Sequence, residues 1–280
     1  MTSAIAYSGE PGAFAEDAVA AAFGEVDRVG LPGFRQVFES VEEGRSVAGV
    51  VPIENSVHGT VRENYDLLLE HSLELRAEVV VPVRLCLAAL PGERLDGIER
   101  VYSHIQALGQ AEAFLRTRSW ALMTTYNTAG AGRLIVDRSE RGSAAVLSPR
   151  AAGLFGLEIL ADGIQDVADN RTRFLVIARP GADLPPVVAG APSTMRTTIV
   201  LAVRNEPGAL LRVLAVFAEH GLNMSTIESR PSRERAWEYV FWVDLDADGA
   251  SPGTVAALAD LRSVTTMTRV LGSYPRPASG

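Results

Sequence analysis

The stretch DNRTRFLVI, residues 169–177, sets five consecutive polar or charged residues, Asp169 to Arg173, against the apolar run Phe174 to Ile177. A short apolar run bounded in this way reads as a buried strand entered from a polar edge. Composition alone places Arg171 and Arg173 in solvent, in a turn at the mouth of that strand. Whether the threonine between them sits in a turn or a site depends on what else the chain brings there.

Working outward, SAIAY, VAGVVPI, RVYS, ALMTTY and SAAVL are further short apolar runs, and the segments between them carry helical spacing. Phe34, Val37, Phe38 and Val41 fall at i, i+3, i+4 and i+7, and Ile105, Leu108, Ala111 and Leu115 form a similar stripe. Alternating strands and helices predict a parallel sheet covered on both faces. Such sheets take ligands beyond the carboxyl ends of their strands, where the next helices present free N–H groups.

Small polar residues stand at each of those ends. They are Ser8-Gly9-Glu10-Pro11-Gly12, Glu54-Asn55-Ser56, His104 with Gln106 and Gln110, Asn127-Thr128, and Ser148-Pro149. Each suits a helix cap as well as a ligand contact. Ser103, Gln106 and Gln110, at i, i+3 and i+7, make a polar stripe beside the apolar one, and a buried polar stripe needs partners, of which a ligand is one.

Composition removes several chemistries. At 280 residues and 47% hydrophobic, the chain can bury two or three domain cores. All 26 basic residues are arginine, which excludes Schiff-base, pyridoxal-phosphate and Walker-type lysine chemistry. The four histidines, His58, His71, His104 and His220, lack the spacing that puts two imidazoles on one helical face, so no metal is expected. Cys86, the single cysteine, allows no intramolecular disulfide and reads as a buried, inert thiol. A formal charge of −8 argues against a nucleic-acid partner. The opening MTSAIAYSGEPG shows no basic and apolar leader, and no run approaches the roughly 20 uncharged residues of a membrane span, so a cytoplasmic location is expected.

PGADLPPVVAGAPSTM, residues 180–195, is rich in Pro, Gly and Ala and reads as a linker. After it, TTIVLAV alternates with Ile199, Leu201 and Val203 on one face. PGALLRVLAVFAEHG puts Leu210, Val213, Leu214 and Phe217 on one helical stripe ending at Gly221. NMSTIESRP and WEYVFWVDLD read as two strands, the second alternating from Trp237 through Tyr239 and Phe241 to Val243. PGTVAALADLRSV and MTRVLGSY complete a βαββαβ, ferredoxin-like unit.

The motifs VPIENSVHGTV, YSHIQALGQ, NTAGAG and NRTRFLVI, in this order, resemble those of the prephenate dehydratases, and the carboxy-terminal unit resembles a regulatory ACT domain. The likeness runs from about residue 3 to residue 274; Ile105 departs from it where the family usually has proline. It implies an α/β fold of two lobes around a cleft, in the manner of a periplasmic binding protein. The first lobe would span about 1–76 and 160–180, the second about 77–159, with a linker at 181–195 and the ACT unit at 196–275. It further implies decarboxylating dehydration of prephenate to phenylpyruvate without cofactor or metal, inhibited by L-phenylalanine.

On that resemblance Thr172 donates to the departing hydroxyl, while Asn55, Ser103 and Gln110 orient the network. Arg173 holds a substrate carboxylate, and Ser56, Gln106, Thr128 and Phe174 complete the substrate side. Glu54 and His104 are expected to be structural. The effector would meet Gly208, Ala209 and Leu210, then Asn223 and Met224, and Glu228, Ser229 and Arg230, in ACT units paired within a homodimer or homotetramer. Gly208, lacking a side chain, leaves helix N–H groups open to a carboxylate. Two alternatives stay open here: the same elimination on arogenate, and a non-enzymatic amino-acid sensor.

Overall fold

The computed structural model describes residues 4–188, 194–231 and 239–276. From the amino end, β1 (Ile5–Ser8), α1 (Phe14–Phe23), β2 (Arg28–Leu31), α2 (Phe34–Glu42), β3 (Ala48–Asn55), the short β4 (Gly59–Thr60), α3 (Arg62–Glu70) and β5 (Glu74–Pro82) build the first lobe. The second lobe holds β6 (Cys86–Ala89), β7 (Arg100–Ser103), α4 (Ile105–Gln110), α5 (Glu112–Leu115) and β8 (Ala121–Thr124). It continues with α6 (Thr128–Arg138), β9 (Ser143–Leu147), α7 (Pro149–Leu154) and β10 (Glu158–Asp162). The strand β11 (Arg171–Ala178) then returns to the first lobe.

The first sheet has the order β2-β1-β3-β11-β5, with β4 beside β3; the second runs β10-β6-β9-β7-β8. Neither is wholly parallel. β1 pairs in parallel with β2 and β3, and β7 with β8 and β9. The strands that carry the chain between lobes reverse direction: β11 is antiparallel to both β3 and β5, and β6 to β9 and β10. The first sheet keeps the chain to Pro82 and recovers it at Arg171, later on both sides than the resemblance implies.

The period-3.6 stripe of α2 buries Val37, Phe38 and Val41 against β1 and β3, each such side chain contributing roughly 1.5–3 kcal/mol. Gly49 in β3 permits that approach, since a Cβ there would lie 2.7 Å from Val37 Cγ1. The second expected stripe does not form one helix. The chain breaks at Ala111 into α4 and α5, leaving Ile105 62% exposed while Leu108, Ala111 and Leu115 are buried.

After the described chain resumes at Thr194, β12 (Thr194–Ala202), α8 (Ala209–Glu219), β13 (Met224–Pro231), β14 (Tyr239–Leu245), α9 (Pro252–Val264) and β15 (Met267–Arg276) form the βαββαβ unit. Its antiparallel sheet has the order β13-β14-β12-β15. β12 begins inside the expected linker, and Trp237 lies outside the described residues. One face of this sheet, through Ile199, Leu201, Val243 and Leu245, packs on α8 and α9.

The other face lies on the first lobe. Val200, Val240, Trp242, Leu271 and Tyr274 join Phe38, Tyr65, Leu67, Leu68 and Leu75 in one buried core. The Tyr65 and Trp242 rings meet edge to face at 4.9 Å. β15 approaches β5 so closely that a Cβ on Gly272 would lie 2.1 Å from the Leu75 carbonyl oxygen. Arg269 donates to the carbonyls of Leu69 and His71 at 3.4 and 2.9 Å. Among the described residues no helix is long and apolar enough to cross a membrane.

Candidate active site

A cleft of about 730 Å³ opens between the two α/β lobes. Its walls are the carboxyl ends of β1, β2, β3, β7, β8 and β9 with the starts of the helices that follow, and Thr172 at the start of β11. The order of motifs along the chain is thereby converted into one ring of groups around one volume.

Thr172 pairs with Asn55 across β11 and β3. The Asn55 Nδ2 donates to Thr172 Oγ1 at 2.9 Å, to Asn170 Oδ1 at 2.8 Å and to the Arg171 carbonyl at 3.2 Å. The Asn55 Oδ1 accepts from the backbone N–H groups of Val57 and His58 at 3.0 and 2.9 Å, which turns the chain back into β4. The Thr172 oxygen is thus an acceptor toward Asn55, and among the described residues its own O–H donates to no protein group. Thr172 lines the cleft, so that proton is available to a bound ligand.

Pairing between β3 and β11 slips by one residue beside this site: Arg173 faces Glu54, but Phe174 faces Pro52. Proline lacks the N–H that a regular ladder needs, so an irregularity falls there. The slip separates the register of the Thr172–Asn55 pair from that of the buried body of β11.

Across the cleft, Gln110 of α4 contacts His58, Nε2 to Nδ1, at 3.1 Å, and His58 Nδ1 lies 3.3 Å from Asn55 Oδ1. This joins the second lobe to the Asn55–Thr172 network. A second bridge runs from the Tyr126 hydroxyl to Glu10 Oε1 at 2.6 Å. Gln106 and Thr128 also line the cleft.

Three strand-end residues act as caps. His104 Nδ1 accepts from Gln106 N at 3.3 Å, Ser148 Oγ accepts from Ala151 N at 3.1 Å, and Asn127 Oδ1 accepts from Gly130 N. Burial holds His104 below the ordinary histidine range, so it is the neutral imidazole, able to accept, at pH 7. By contrast α1, α2 and α3 have no side-chain cap, and the residues that open them line the cleft. Their N–H groups and positive dipole ends suit carboxylates. Arg62, the first residue of α3, is the arginine among the cleft-lining residues, and no ion pair engages it among the described residues. Sequence reasoning passed over Arg62, His58 and Asn170. VHGTVRENY carried the signal for the first, an arginine just after a strand end and at the start of a helix.

Four expectations are corrected. Ser103 is the last residue of β7, not a helical position; it is fully buried and donates to the Val146 carbonyl at 2.6 Å. Phe174 is 2% exposed in the core with Tyr7, Val19 and Phe23. Ser56 stitches β3 to β11, accepting from Arg171 N at 2.9 Å and donating to the Asp169 carbonyl. Arg173 points away from the cleft, into the seam between β5 and the carboxy-terminal sheet, where Asp244 of β14 lies at 2.8 Å and Glu78 of β5 at 3.3 Å. Burial disfavours its charge, but Asp244, with Tyr274 and Glu78, outweighs this and raises the guanidinium above the ordinary arginine range. Lone charges inside apolar strands, Glu78, Arg196 and Asp244, were the sequence signal for that cluster. Arg171 is exposed and pairs with Asp169 at 2.5 Å.

In the carboxy-terminal unit, Gly208 adopts φ 79° and opens α8, with Ala209 buried and Leu210 half-buried. Ala202 and Arg230 both pair with Val240, which places Glu228, Ser229 and Arg230 at the same end of the sheet as Gly208. Met224 pairs with Leu245 at the other end, and Asn223 beside it donates to Asp246 at 2.9 Å. Arg230 reaches back to Asp66 of α3 at 3.3 Å.

A two-lobed α/β cleft with a docked, ferredoxin-like sheet defines a class of small-molecule-binding proteins. Comparison narrows it. The family model for prephenate dehydratase matches residues 5–182 and that for the ACT domain residues 197–263. Arogenate dehydratase 5 of Arabidopsis thaliana, described as chloroplastic, is 40% identical over 292 residues, covering 98% of this chain and 68% of its own. The prephenate dehydratase of Arthrobacter aurescens, solved with L-Phe, superposes with a TM-score of 0.86 at 32% identity over 99% of this chain and 92% of its own. GqqA, described as a novel type of quorum quenching acylase, gives a TM-score of 0.88 at 30% identity over 98% of both chains. The chain belongs to the prephenate dehydratase family and carries an ACT domain.

Proposed function

We propose that this protein converts prephenate to phenylpyruvate, with Thr172 as donor to the leaving group. The observation that carries the reading is the Thr172 hydroxyl on the cleft wall, accepting from Asn55 at 2.9 Å, which leaves its own proton for a ligand. In the reaction the bond from C1 to its carboxylate breaks, its electron pair enters the ring, and the C4–oxygen bond breaks as the ring becomes aromatic. Carbon dioxide leaves, and the C4 oxygen takes one proton and departs as water. A threonine is too weak an acid to give up its proton outright, so Thr172 acts as a relay, passing its proton to the C4 oxygen as it takes one from solvent.

The remaining demand is to bind a dianion and keep it oriented. The uncapped ends of α1, α2 and α3, with Arg62, supply positive potential, and the Gln110–His58 bridge closes the lobes over the network. Among the described residues no cleft hydroxyl is hydrogen-bonded to a histidine, and Ser148 spends its hydroxyl on Gly12 O and Ala151 N. That arrangement suits donation rather than the nucleophilic attack an acylase needs.

The same geometry serves arogenate, whose ammonium replaces the keto group, and a relative at 40% identity is an arogenate dehydratase. Glu63, the carboxylate among the cleft-lining residues, suits that ammonium. L-phenylalanine is the proposed inhibitor. The residues expected to meet it stand at both ends of one sheet, roughly 17 Å apart at about 3.3 Å per residue, so one small ligand needs two ACT units in a homodimer or homotetramer to meet both groups. A cytoplasmic location belongs to the same proposal, supported by a lone, buried thiol.

The test is a cofactor-free incubation with prephenate, then with arogenate, with and without L-phenylalanine, following phenylpyruvate by its absorbance in alkali and phenylalanine by chromatography. Phenylpyruvate formation suppressed by L-phenylalanine is the expected result. Turnover of arogenate alone changes the substrate, and silence with both rejects the reading.

A further inference from the structure

The geometry points to Arg173 as a positioning residue that makes the placement of the Thr172 hydroxyl depend on the seating of the ACT sheet. This rests on the dehydratase reading of the cleft and extends it to how the two halves of the chain communicate.

Thr172 and Arg173 are consecutive on β11, so their side chains leave opposite faces of the first sheet. Thr172 lines the cleft, whereas Arg173 enters a buried cluster between β5 and the ACT sheet. Its side chain is 13% exposed, and those of its partners Asp244 and Glu78 are 7% and 2% exposed. Glu54, which faces Arg173 in β3, stands 3.6 Å away. Arg196 of β12 shares Glu78 at 2.6 Å, and Thr198 of β12 donates to Asp244 at 2.6 Å while bonding the Tyr274 hydroxyl at 2.7 Å. The ACT side of the cluster is thus held from three strands.

The catalytic side is not held so evenly. On the β3 side the pairing slips between Arg173 and Phe174, whereas the ladder to β5 runs regularly from Arg171 to Val176, so Thr172 moves with β5 more closely than with the body of β3. Three things then place Thr172: the β5 ladder, the Asn55 network on the cleft face and the Arg173 ion pairs on the other. A small shift of β14 relative to β5 would pull Arg173 and, through one peptide bond, Thr172. A docking ion pair without this role would affect stability alone.

The test uses the full chain and compares Asp244→Asn, Arg173→Gln and Arg173→Lys with wild type. Three readouts are taken: melting temperature, kcat and KM for prephenate with and without L-phenylalanine, and amide hydrogen exchange over residues 169–177. Asp244→Asn and Arg173→Gln are expected to lower kcat roughly 10- to 100-fold with KM within about twofold, a size suited to ångström-scale misplacement. Both should blunt the response to L-phenylalanine, speed exchange at 169–173, and be partly rescued in Arg173→Lys. Variants that melt earlier but keep the wild-type kcat and effector response overturn the proposal. If Asp244→Asn does not fold, Thr198→Val loosens Asp244 from its other side and is read in the same way. If wild type turns over neither prephenate nor arogenate, the dehydratase reading falls by itself. Exchange then decides the positioning role: faster at 169–173 in Asp244→Asn supports it, and unchanged rejects it.

Discussion

The Asn55 side-chain amide donates to the Thr172 hydroxyl at 2.9 Å, from one strand to the residue paired with it on the next. Because the two residues are ladder partners, 117 positions apart in sequence, the bond is formed by sheet register and needs no flexible loop to arrange it. A donor preset in this way incurs little ordering cost at the moment of reaction.

Replacing Thr172 with valine preserves shape and removes the proton. It is expected to lower kcat by about 10² to 10³, as loss of one preset donor does elsewhere, with melting temperature little changed. Steady-state kinetics beside a thermal melt checks this; near-full activity would remove Thr172 from the chemistry.

Arg62 is expected to act in binding. Arg62→Ala should raise KM for prephenate roughly 10- to 100-fold, the size of a lost charge-assisted hydrogen bond of about 1.5–3 kcal/mol, while kcat changes less. A fall in kcat with unchanged KM would assign it another role.

His104 gives a signed pH dependence. Its folded pKa lies below the ordinary value because burial penalises the cation. Above about pH 6.5 both folded and unfolded forms are neutral, and the cap on α4 is intact. As pH falls through that value the unfolded chain takes up the proton first, so stability is lost toward acid, and protonated Nδ1 can no longer accept from Gln106 N. His104→Asn, which keeps a cap acceptor, should flatten the acid limb of the stability profile. An unchanged limb would assign the loss to other groups.

Cys86 is fully buried, and burial first, then the charge of Asp162, pushes its thiol up to about 12. A maleimide at neutral pH should leave the native protein unlabelled and label it once on denaturation. Rapid native labelling would show that the second sheet opens.

Gly272 sits where a side chain would strike the Leu75 carbonyl. Gly272→Val should unseat β15 from β5 and lower the melting temperature, and the ACT sheet should lose its effect on the cleft. A native melting point would mean that β5 moves to make room.

Much of this was legible in the chain. Val37, Phe38 and Val41 announce α2, and the alternation around Ile199 and Leu201 announces β12, because local period reports which side of an element is buried. Stripe reading failed at Ser103 and Ile105, where spacing was counted through a residue that is strand and one that faces solvent. Motif order led to Thr172, Asn55 and Gln110, yet not to His58, which has no distinguishing spacing and matters only because it bridges the lobes.

The sequence by itself determined the alternation of strands and helices before the linker, the βαββαβ order after it and the family, since these depend on local periodicity and on motifs read in line; it passed over β2, β5, β6 and β10. Only the tertiary structure decided which way the two residues of Thr172-Arg173 face and that the ACT sheet shares a core with the first lobe. A strand's two faces are equivalent until something packs on each. The partners that break the tie, Asn55 on one side and Asp244 on the other, come from positions 117 residues before Thr172 and 71 residues after Arg173.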